Sequence, residues 1–236
     1  MMRSVVLFSA AMLMLAPASA SLAQERMFTV VAKGSLNTAG RLFPNPNAAD
    51  PVARAQAFSF SDFYGLGGEV QYHFANSSIF LGLGSEYIRN DGGRNIVATA
   101  QRVVPVEDNY RVIPVELTGY FRIPVTAGAF SIVMGGGVAA YFGDRHFVMA
   151  GVDAPTTTST AGFGIHVLGG FAYRISEWFT ASADIKFRDA QFQTVNAFAV
   201  PNVKYGDVFV SLPQGPFAST VHTDGMVIQV GIGVNF

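Results

Sequence analysis

The residues of this chain best suited to chemistry are eight charged side chains spread over several segments. They are Lys33, Glu69, Glu86, Glu116, Arg122, Asp184, Lys186 and Arg188. Two carboxylates can act as general acid and base where burial shifts the pKa of one of them. Opposite charges can also pair with one another and fill a protein interior or gate a polar conduit. No pair of carboxylates stands out by spacing, so the sequence favours a structural network of ion pairs.

Two smaller sets of residues have the right types for catalysis or metal binding. Ser219, His222 and Asp224 offer a nucleophile, a base and an orienting group. On an extended chain, however, Ser219 points away from the other two side chains. His73 and His166 have no metal-ligand spacing around them, and the chain has no cysteine. We therefore expect no catalytic residue, no metal and no cofactor.

The elements that carry these residues are segments in which apolar and polar side chains alternate, as on a β-strand with two different faces. The eight segments are 28–34, 64–74, 79–88, 113–122, 130–142, 163–173, 179–188 and 226–236. In the last of them, Ile228, Val230 and Ile232 share one face, while Gln229 and Gly231 share the other. All eight charged residues fall on the face opposite the main apolar stripe of their segment.

The connections between these segments alternate strictly between long and short. The long ones are 35–63, 89–112, 143–162 and 189–225, and the short ones are 75–78, 123–129 and 174–178. This pattern is typical of outer-membrane barrels, which have short periplasmic turns and longer external loops. A ten-stranded barrel is the alternative, because residues 197–213 contain further apolar residues. Pro201, Gly206 and Pro213 interrupt that stretch, so we expect a hairpin or strand extensions above the membrane there.

Composition supports a barrel that faces lipid. Half of the residues are hydrophobic and 13% are charged, which is about half the usual share of charge. Beyond the first 23 residues, no stretch approaches the roughly 18 apolar residues of a membrane helix. Only helices and closed barrels can cross a bilayer. The sequence therefore predicts an all-β, eight-stranded, antiparallel, up-and-down transmembrane β-barrel over residues 24–236.

A soluble barrel of the lipocalin type would alternate with the two faces exchanged. The polar face of the last segment is too small and uncharged for a solvated surface, which argues against that alternative. Aromatic residues also gather near the segment ends, where they are expected to form two interfacial girdles. They are Tyr72, Phe74, Tyr87, Phe121, Phe130, Tyr141, Phe142, Tyr173, Trp178 and Phe179.

The first 23 residues have the pattern of a secretory signal peptide. Arg3 provides the positive charge, VVLFSAAMLMLA the apolar stretch, and PASASLA the small residues of a cleavage region. We expect cleavage after Ala23, with Ala20 as the alternative position. The net charge is −1 and the chain has no basic run, so nucleic acid is not an expected partner.

The last segment resembles a known signal. Gln229, Gly231, Val234 and Phe236 are similar to the C-terminal targeting signal of bacterial outer-membrane barrels, which implies recognition by the barrel-assembly machinery. The layout of the chain resembles the small OmpA-like and OmpX-like barrels, and IPVELTGYF (113–121) resembles a strand of the PorT-like barrel families. The resemblance implies the outer membrane of a Gram-negative bacterium as location and its lipid as partner.

These patterns predict a non-enzymatic barrel with a structural or surface-interaction role. Its external loops would contact a surface partner or ligand, which the sequence does not identify. The first alternative is a narrow, porin-like pore for ions or small solutes. The second alternative is a lipid-modifying enzyme of the outer membrane.

Overall fold

The computed structural model of the protein describes residues 26–60, 63–99, 102–125, 129–223 and 225–236, with the backbone alone at 60, 91–99 and 102. The predicted signal peptide, both of its predicted cleavage positions and Asp224 lie outside the described residues.

The described part of the chain is almost entirely β-structure. Its first half contains β1 (Phe28–Asn37), β2 (Gly40–Phe43), α1 (Pro51–Ala55), β3 (Phe58–Phe60), β4 (Phe63–His73), β5 (Ile79–Thr99), β6 (Arg102–Pro124) and β7 (Phe130–Met149). Its second half contains β8 (Val152–Ala154), β9 (Thr156–Thr160), β10 (Gly162–Arg174), β11 (Phe179–Asp189), β12 (Gln191–Asn196), β13 (Asn202–Tyr205), β14 (Val208–Ser211), β15 (Phe217–His222) and β16 (Gly225–Asn235). No described helix has the length and apolarity needed to span a membrane.

Eight of these strands close into an antiparallel barrel. Their order around the wall is β10–β11–β16–β1–β4–β5–β6–β7, and a ladder between β7 and β10 closes the ring. Each of the eight predicted segments overlaps one of these strands. The predicted all-β, eight-stranded antiparallel barrel is therefore confirmed.

The two ends of the barrel differ in how the strands are joined. We call the end that carries Phe28 and Asn235, together with the short turns, the terminal rim. We call the opposite end, at Asn37 and Phe63, the far rim. Beyond the far rim the chain makes all of its longer connections.

The alternation of residue types becomes an alternation of burial in the wall. In β16, Val230 is 60% exposed on the outside, while Gln229 beside it is 2% exposed on the inside. The same alternation runs through the barrel strands between the two rims, so that apolar side chains cover the outer surface there and charged side chains lie inside. This is the reverse of a lipocalin-type barrel.

Aromatic side chains stand on the outer surface near both rims. Phe121, Tyr173 and Trp178 are about half exposed near the terminal rim, and Phe142 is about half exposed near the far rim. Tyr141 is a correction to the prediction, because it is fully buried in the barrel interior. Consecutive residues of a strand point to opposite sides, so only one member of the Tyr141–Phe142 pair can face outward.

The connections beyond the far rim are strands rather than long loops. β5, β6 and β7 contain 21, 23 and 20 residues, about twice the 9–11 that cross a membrane. A second sheet, in the order β3–β2–β15–β12–β9, runs beside them. Its strands precede or follow β4, β1, β16, β11 and β10 after a short break. The predicted long loops are therefore replaced by a β-structured region, which we call the far extension.

A separate hairpin of β13 and β14 covers part of the far extension. Gly206 lies in its turn with φ of +60°, a conformation that suits glycine. Val210 and Leu212 are buried against Val104 and Ala150. Residues 197–213 thus contain a hairpin, as predicted, and add no strand to the barrel.

Candidate functional site

The barrel interior brings together most of the charged residues singled out from the sequence. Six of the eight form three ion pairs, namely Lys33–Glu69 with an N–O distance of 2.7 Å, Lys186–Glu116 at 2.5 Å and Arg188–Glu86 at 2.8 Å. All three carboxylates are at most 7% exposed. Buried charges of this kind need a partner, since an isolated one is strongly destabilising.

The acidic and the basic members of these ion pairs come from different parts of the barrel wall. The three paired carboxylates come from neighbouring strands β4, β5 and β6, and their cationic partners come from β1 and β11. β5 and β11 stand four positions apart in a ring of eight, so Arg188 and Glu86 face each other across the full width of the barrel. The Arg188–Glu86 and Lys186–Glu116 pairs therefore connect walls that share no backbone ladder.

Neutral polar side chains complete this network. Tyr120 donates its hydroxyl to Glu69 at 2.8 Å, and Ser35 donates to Glu86 at 2.7 Å. The guanidinium of Arg188 also donates to the amide oxygen of Asn37. Sequence reasoning did not single out these partners, although each lies on the polar face of its strand. Together they supply the extra hydrogen bonds that buried ion pairs require.

Asp184 and Arg122 form no ion pair with a described residue. Both line a cavity of about 40 Å³ near the terminal rim, together with Lys33. One water molecule needs about 10–15 Å³ of cavity volume, so this polar cavity is large enough to hold a few water molecules. Arg122 also lies over the ring of Phe80, with 5.1 Å between the guanidinium carbon and the ring centroid.

Apolar clusters lie on both sides of the ion pairs. The cluster near the far rim is formed by Leu42, Phe63, Ile88, Tyr110, Val112, Ala139, Tyr141, Ala190, Phe192 and Val221. The cluster near the terminal rim lies on one half of the wall, from β5 to β10, and is formed by Phe80, Tyr120, Val133, Leu168 and Ala172. Apart from the polar cavity near the terminal rim, side chains fill most of the described interior, as expected for the narrow lumen of an eight-stranded barrel.

The far extension has a buried ion pair of its own, which sequence reasoning missed. Arg145 donates from Nε and Nη2 to the two carboxylate oxygens of Asp108, with both distances at 2.7 Å. Burial opposes the charge of Arg145, but the hydrogen bonds and the charge attraction from Asp108 and Tyr110 together raise its pKa. The guanidinium also lies 4.4 Å from the ring centroid of Phe147. Both charges lie in predicted loops, so only the alternation around Asp108 and Tyr110 could have revealed their inward direction.

Ser219 and His222, the two described residues of the possible catalytic set, are not placed as a nucleophile beside its base. Ser219 is fully buried and accepts a hydrogen bond from Arg145 at 3.1 Å. His222 instead packs edge-on against Phe43, with ring centroids 4.8 Å apart. The third member, Asp224, is outside the described residues.

The two interior histidines lie apart and bond to different threonines. His73 is 3.0 Å from the hydroxyl of Thr29, and His166 is 2.9 Å from that of Thr118. Within the described ranges, no group of three or more histidine and acidic side chains is placed to hold a metal ion.

The residues of the predicted targeting signal lie on both faces of β16 and at its end. Gln229 and Gly231 point inward, whereas Phe236 is 51% exposed on the outside. A Cβ atom at Gly231 would lie 2.8 Å from the Ser182 hydroxyl, so a larger residue would force a shift there. Phe236 also exchanges two backbone hydrogen bonds with Phe28, at 2.8 and 3.3 Å.

This chain is similar to known proteins in its three-dimensional structure. No family model matches the chain, and no curated protein sequence matches it. The outer membrane protein OprG from Pseudomonas aeruginosa is 14% identical, with a TM-score of 0.56 over 89% of this chain and 96% of that chain. Neisserial surface protein A is 10% identical, with a TM-score of 0.48 over 89% and 97%.

The outer membrane protein W of E. coli is 16% identical, with a TM-score of 0.40 over 91% of this chain and all of that chain. The narrower resemblance of residues 113–121 to PorT-like families stays a prediction. The closed ring of eight strands and the likeness to OprG show that the chain has the fold of the small bacterial outer-membrane β-barrels.

Proposed function

We propose that the protein is an integral outer-membrane barrel with a non-enzymatic, surface-interaction role. In this proposal, the terminal rim faces the periplasm and the far extension projects from the cell. A cleaved signal peptide directs export, and the barrel-assembly machinery inserts the chain. The apolar outer surface and the fold support this location. The contact surface for a partner is the far extension, which a rigid barrel holds out of the membrane.

One observation carries the proposal: the interior is packed while the far extension has a core of its own. Val106, Phe147 and Ala154 form part of that core, beside the buried Arg145–Asp108 pair. A pore, by contrast, needs an open path along the axis. An ion on that path would have to pass the apolar cluster near the far rim and separate three buried ion pairs.

Electrical recording from planar bilayers tests the sealed interior. We expect the refolded protein to give no stable conductance steps, because the ion pairs and the apolar cluster near the far rim close the path. A conducting porin, reconstituted in the same way, controls for the assay. Reproducible steps that scale with the amount of protein would support the pore alternative and contradict the proposal.

The lipid-modifying alternative is tested separately. The buried position of Ser219, hydrogen-bonded to Arg145, supports the non-enzymatic role. We therefore propose that lipid A has the same mass spectrum in cells with and without the protein. A mass shift that depends on the protein would replace the proposal with an enzymatic function.

The terminal aromatic gives a prediction about assembly. Phe236→Ala keeps the backbone hydrogen bonds to Phe28 but removes the ring that resembles part of the targeting signal. We expect less protein in the outer membrane and unassembled protein in the periplasm, measured by cell fractionation and immunoblotting. Phe236→Tyr is the matched control and should assemble normally. Equal outer-membrane levels for Phe236→Ala and the wild type would remove the targeting role.

A further inference from the structure

Among the eight charged side chains singled out from the sequence, one negative and one positive group have no ion-pair partner among the described residues. The carboxylate is that of Asp184, which is 9% exposed and accepts no hydrogen bond from another described residue. The guanidinium is that of Arg122, which lies over Phe80 and has a buried Nε atom without a hydrogen-bond partner in the described part of the chain. A buried charge without a partner is costly, so both groups require water or a ligand.

Both groups line the same cavity, which opens at the terminal rim. Arg122 lies near the end of β6 at this rim, whereas Asp184 lies at the midpoint of β11 and is therefore deeper. A side chain at Gly170, opposite Asp184 on the neighbouring strand, would collide with the carboxylate, so the glycine leaves space for it. Towards the far rim, the two ion pairs that cross the barrel and the apolar cluster close the described interior. A ligand would therefore enter and leave through the terminal rim.

The cavity has a polar side and an apolar side. Thr180 and Ser182 place hydroxyl groups on the side formed by β11, while Val133 and Ala172 belong to the apolar cluster on the opposite side. The volume of about 40 Å³ corresponds to about three water molecules, which occupy about 90 Å³ in liquid water. A ligand of that size has only a few non-hydrogen atoms.

We propose that this cavity binds a small zwitterion, with its ammonium group on Asp184 and its anionic group on Arg122. A cation alone would meet the positive charge of Arg122 at the mouth, and an anion alone would meet Asp184 at the bottom. Lys33 also lines the cavity, but Glu69 balances its charge at 2.7 Å. A zwitterion satisfies both remaining charges through charge-assisted hydrogen bonds, and its short apolar part packs against the apolar side.

Binding can be measured by NMR on the refolded wild-type protein in phosphatidylcholine nanodiscs. β-Alanine is the first probe, and propionate and ethylamine are its matched controls, because each lacks one of its two charges. We expect saturable shifts with β-alanine at the amide signals of Ser182 and Gly233, which line the cavity. Both controls should bind at least about tenfold more weakly, since each loses a hydrogen bond between charged groups. Equal binding of either control would overturn the proposal.

Two further zwitterions identify the anionic group. Taurine carries a sulfonate and O-phosphoethanolamine carries a phosphate in place of the carboxylate of β-alanine. The probe that binds most tightly shows which of the three anions fits Arg122. Absence of saturable shifts with all three probes would overturn the proposal. These comparisons use the wild-type protein alone, so they hold even where a variant fails to refold.

Two substitutions assign the charged groups. Asp184→Asn should weaken β-alanine binding at least about tenfold and leave propionate binding no weaker. Arg122→Gln should weaken β-alanine binding by a similar factor and leave ethylamine binding no weaker. Asp189→Asn, at the exposed end of β11, and Arg54→Gln, at an exposed position of α1, are the matched controls and should bind like the wild type. Unchanged β-alanine affinity of either cavity variant would contradict the assignment.

Zwitterion binding goes beyond the proposed surface-interaction role, and the two can fail independently. Protein that is found in the outer membrane but binds none of the three probes would overturn the ligand site alone. Binding in nanodiscs that depends on Asp184 and Arg122, together with absence of the protein from the outer membrane of cells, would overturn the proposed location alone.

Discussion

Replacing Glu86 with leucine is expected to destabilise the barrel by about 3–5 kcal/mol, because it leaves the charge of Arg188 buried without its partner. The side chain of Arg188 is 0% exposed, and its nearest carboxylate oxygen belongs to Glu86 at 2.8 Å. The free energy of unfolding can be measured by urea titration in lipid vesicles. Trp178, the single tryptophan of the chain, provides the fluorescence signal.

Two further variants separate the loss of the ion pair from a general effect of leucine. Glu107→Leu makes the same change at an exposed position of β6 and should shift the free energy by less than about 0.5 kcal/mol. Glu86→Leu combined with Arg188→Met removes both charges and should recover most of the lost stability. Equal effects of Glu86→Leu and Glu107→Leu would show that the pair across the barrel is not needed.

Val230→Arg is expected to cost about 2–4 kcal/mol and to reduce stable insertion, because it places a charge on the lipid-facing surface near mid-membrane. Val230 is 60% exposed and lies between the outward residues Ile228 and Ile232 in the middle of β16. The fraction of folded protein in vesicles can be read from the heat-dependent shift of the band in a denaturing gel. Urea titration then gives the free energy.

The control for this variant is the neighbouring residue that faces the interior. Gln229→Asn shortens a side chain that is 2% exposed but introduces no charge, so we expect a mild effect. Val230→Leu keeps the outer surface apolar and should insert normally. If Val230→Arg and Gln229→Asn were tolerated equally, the assignment of inner and outer faces would be wrong.

The barrel strands could be predicted because lipid imposes a simple rule on their outer residues. Each outward position must be apolar, so the alternation in segments such as 79–88 and 113–122 is easy to detect. The same strands continue far beyond these bounds, to Thr99 and back to Arg102. Every second residue still points inward there, since Val106, Asp108 and Tyr110 are all buried. Their outward residues change to polar types such as Arg89 and Arg111, so the membrane pattern ends although the strand does not.

The interior charges could be assigned to a face, but their partners could not be chosen from the sequence. The alternation of side chains along a strand places Glu86 and Arg188 on the inner side of the barrel. Their contact depends on the closure of the ring, which sets β5 opposite β11. Asp184 shows the same limit, since it shares a strand with Lys186 and Arg188 but forms no ion pair with a described residue. The pair of Arg145 and Asp108 was missed because both residues lie in segments that were predicted to be loops.

The far extension also determines which antibodies would recognise the folded protein. Backbone ladders hold residues from distant parts of the chain next to each other, as with Gln193 opposite Thr160 and Arg41 opposite His222. We therefore expect an antibody raised against the far extension of the folded protein to bind a discontinuous epitope built from several strands. Short synthetic peptides from residues 189–225 lack this arrangement and would make poor immunogens.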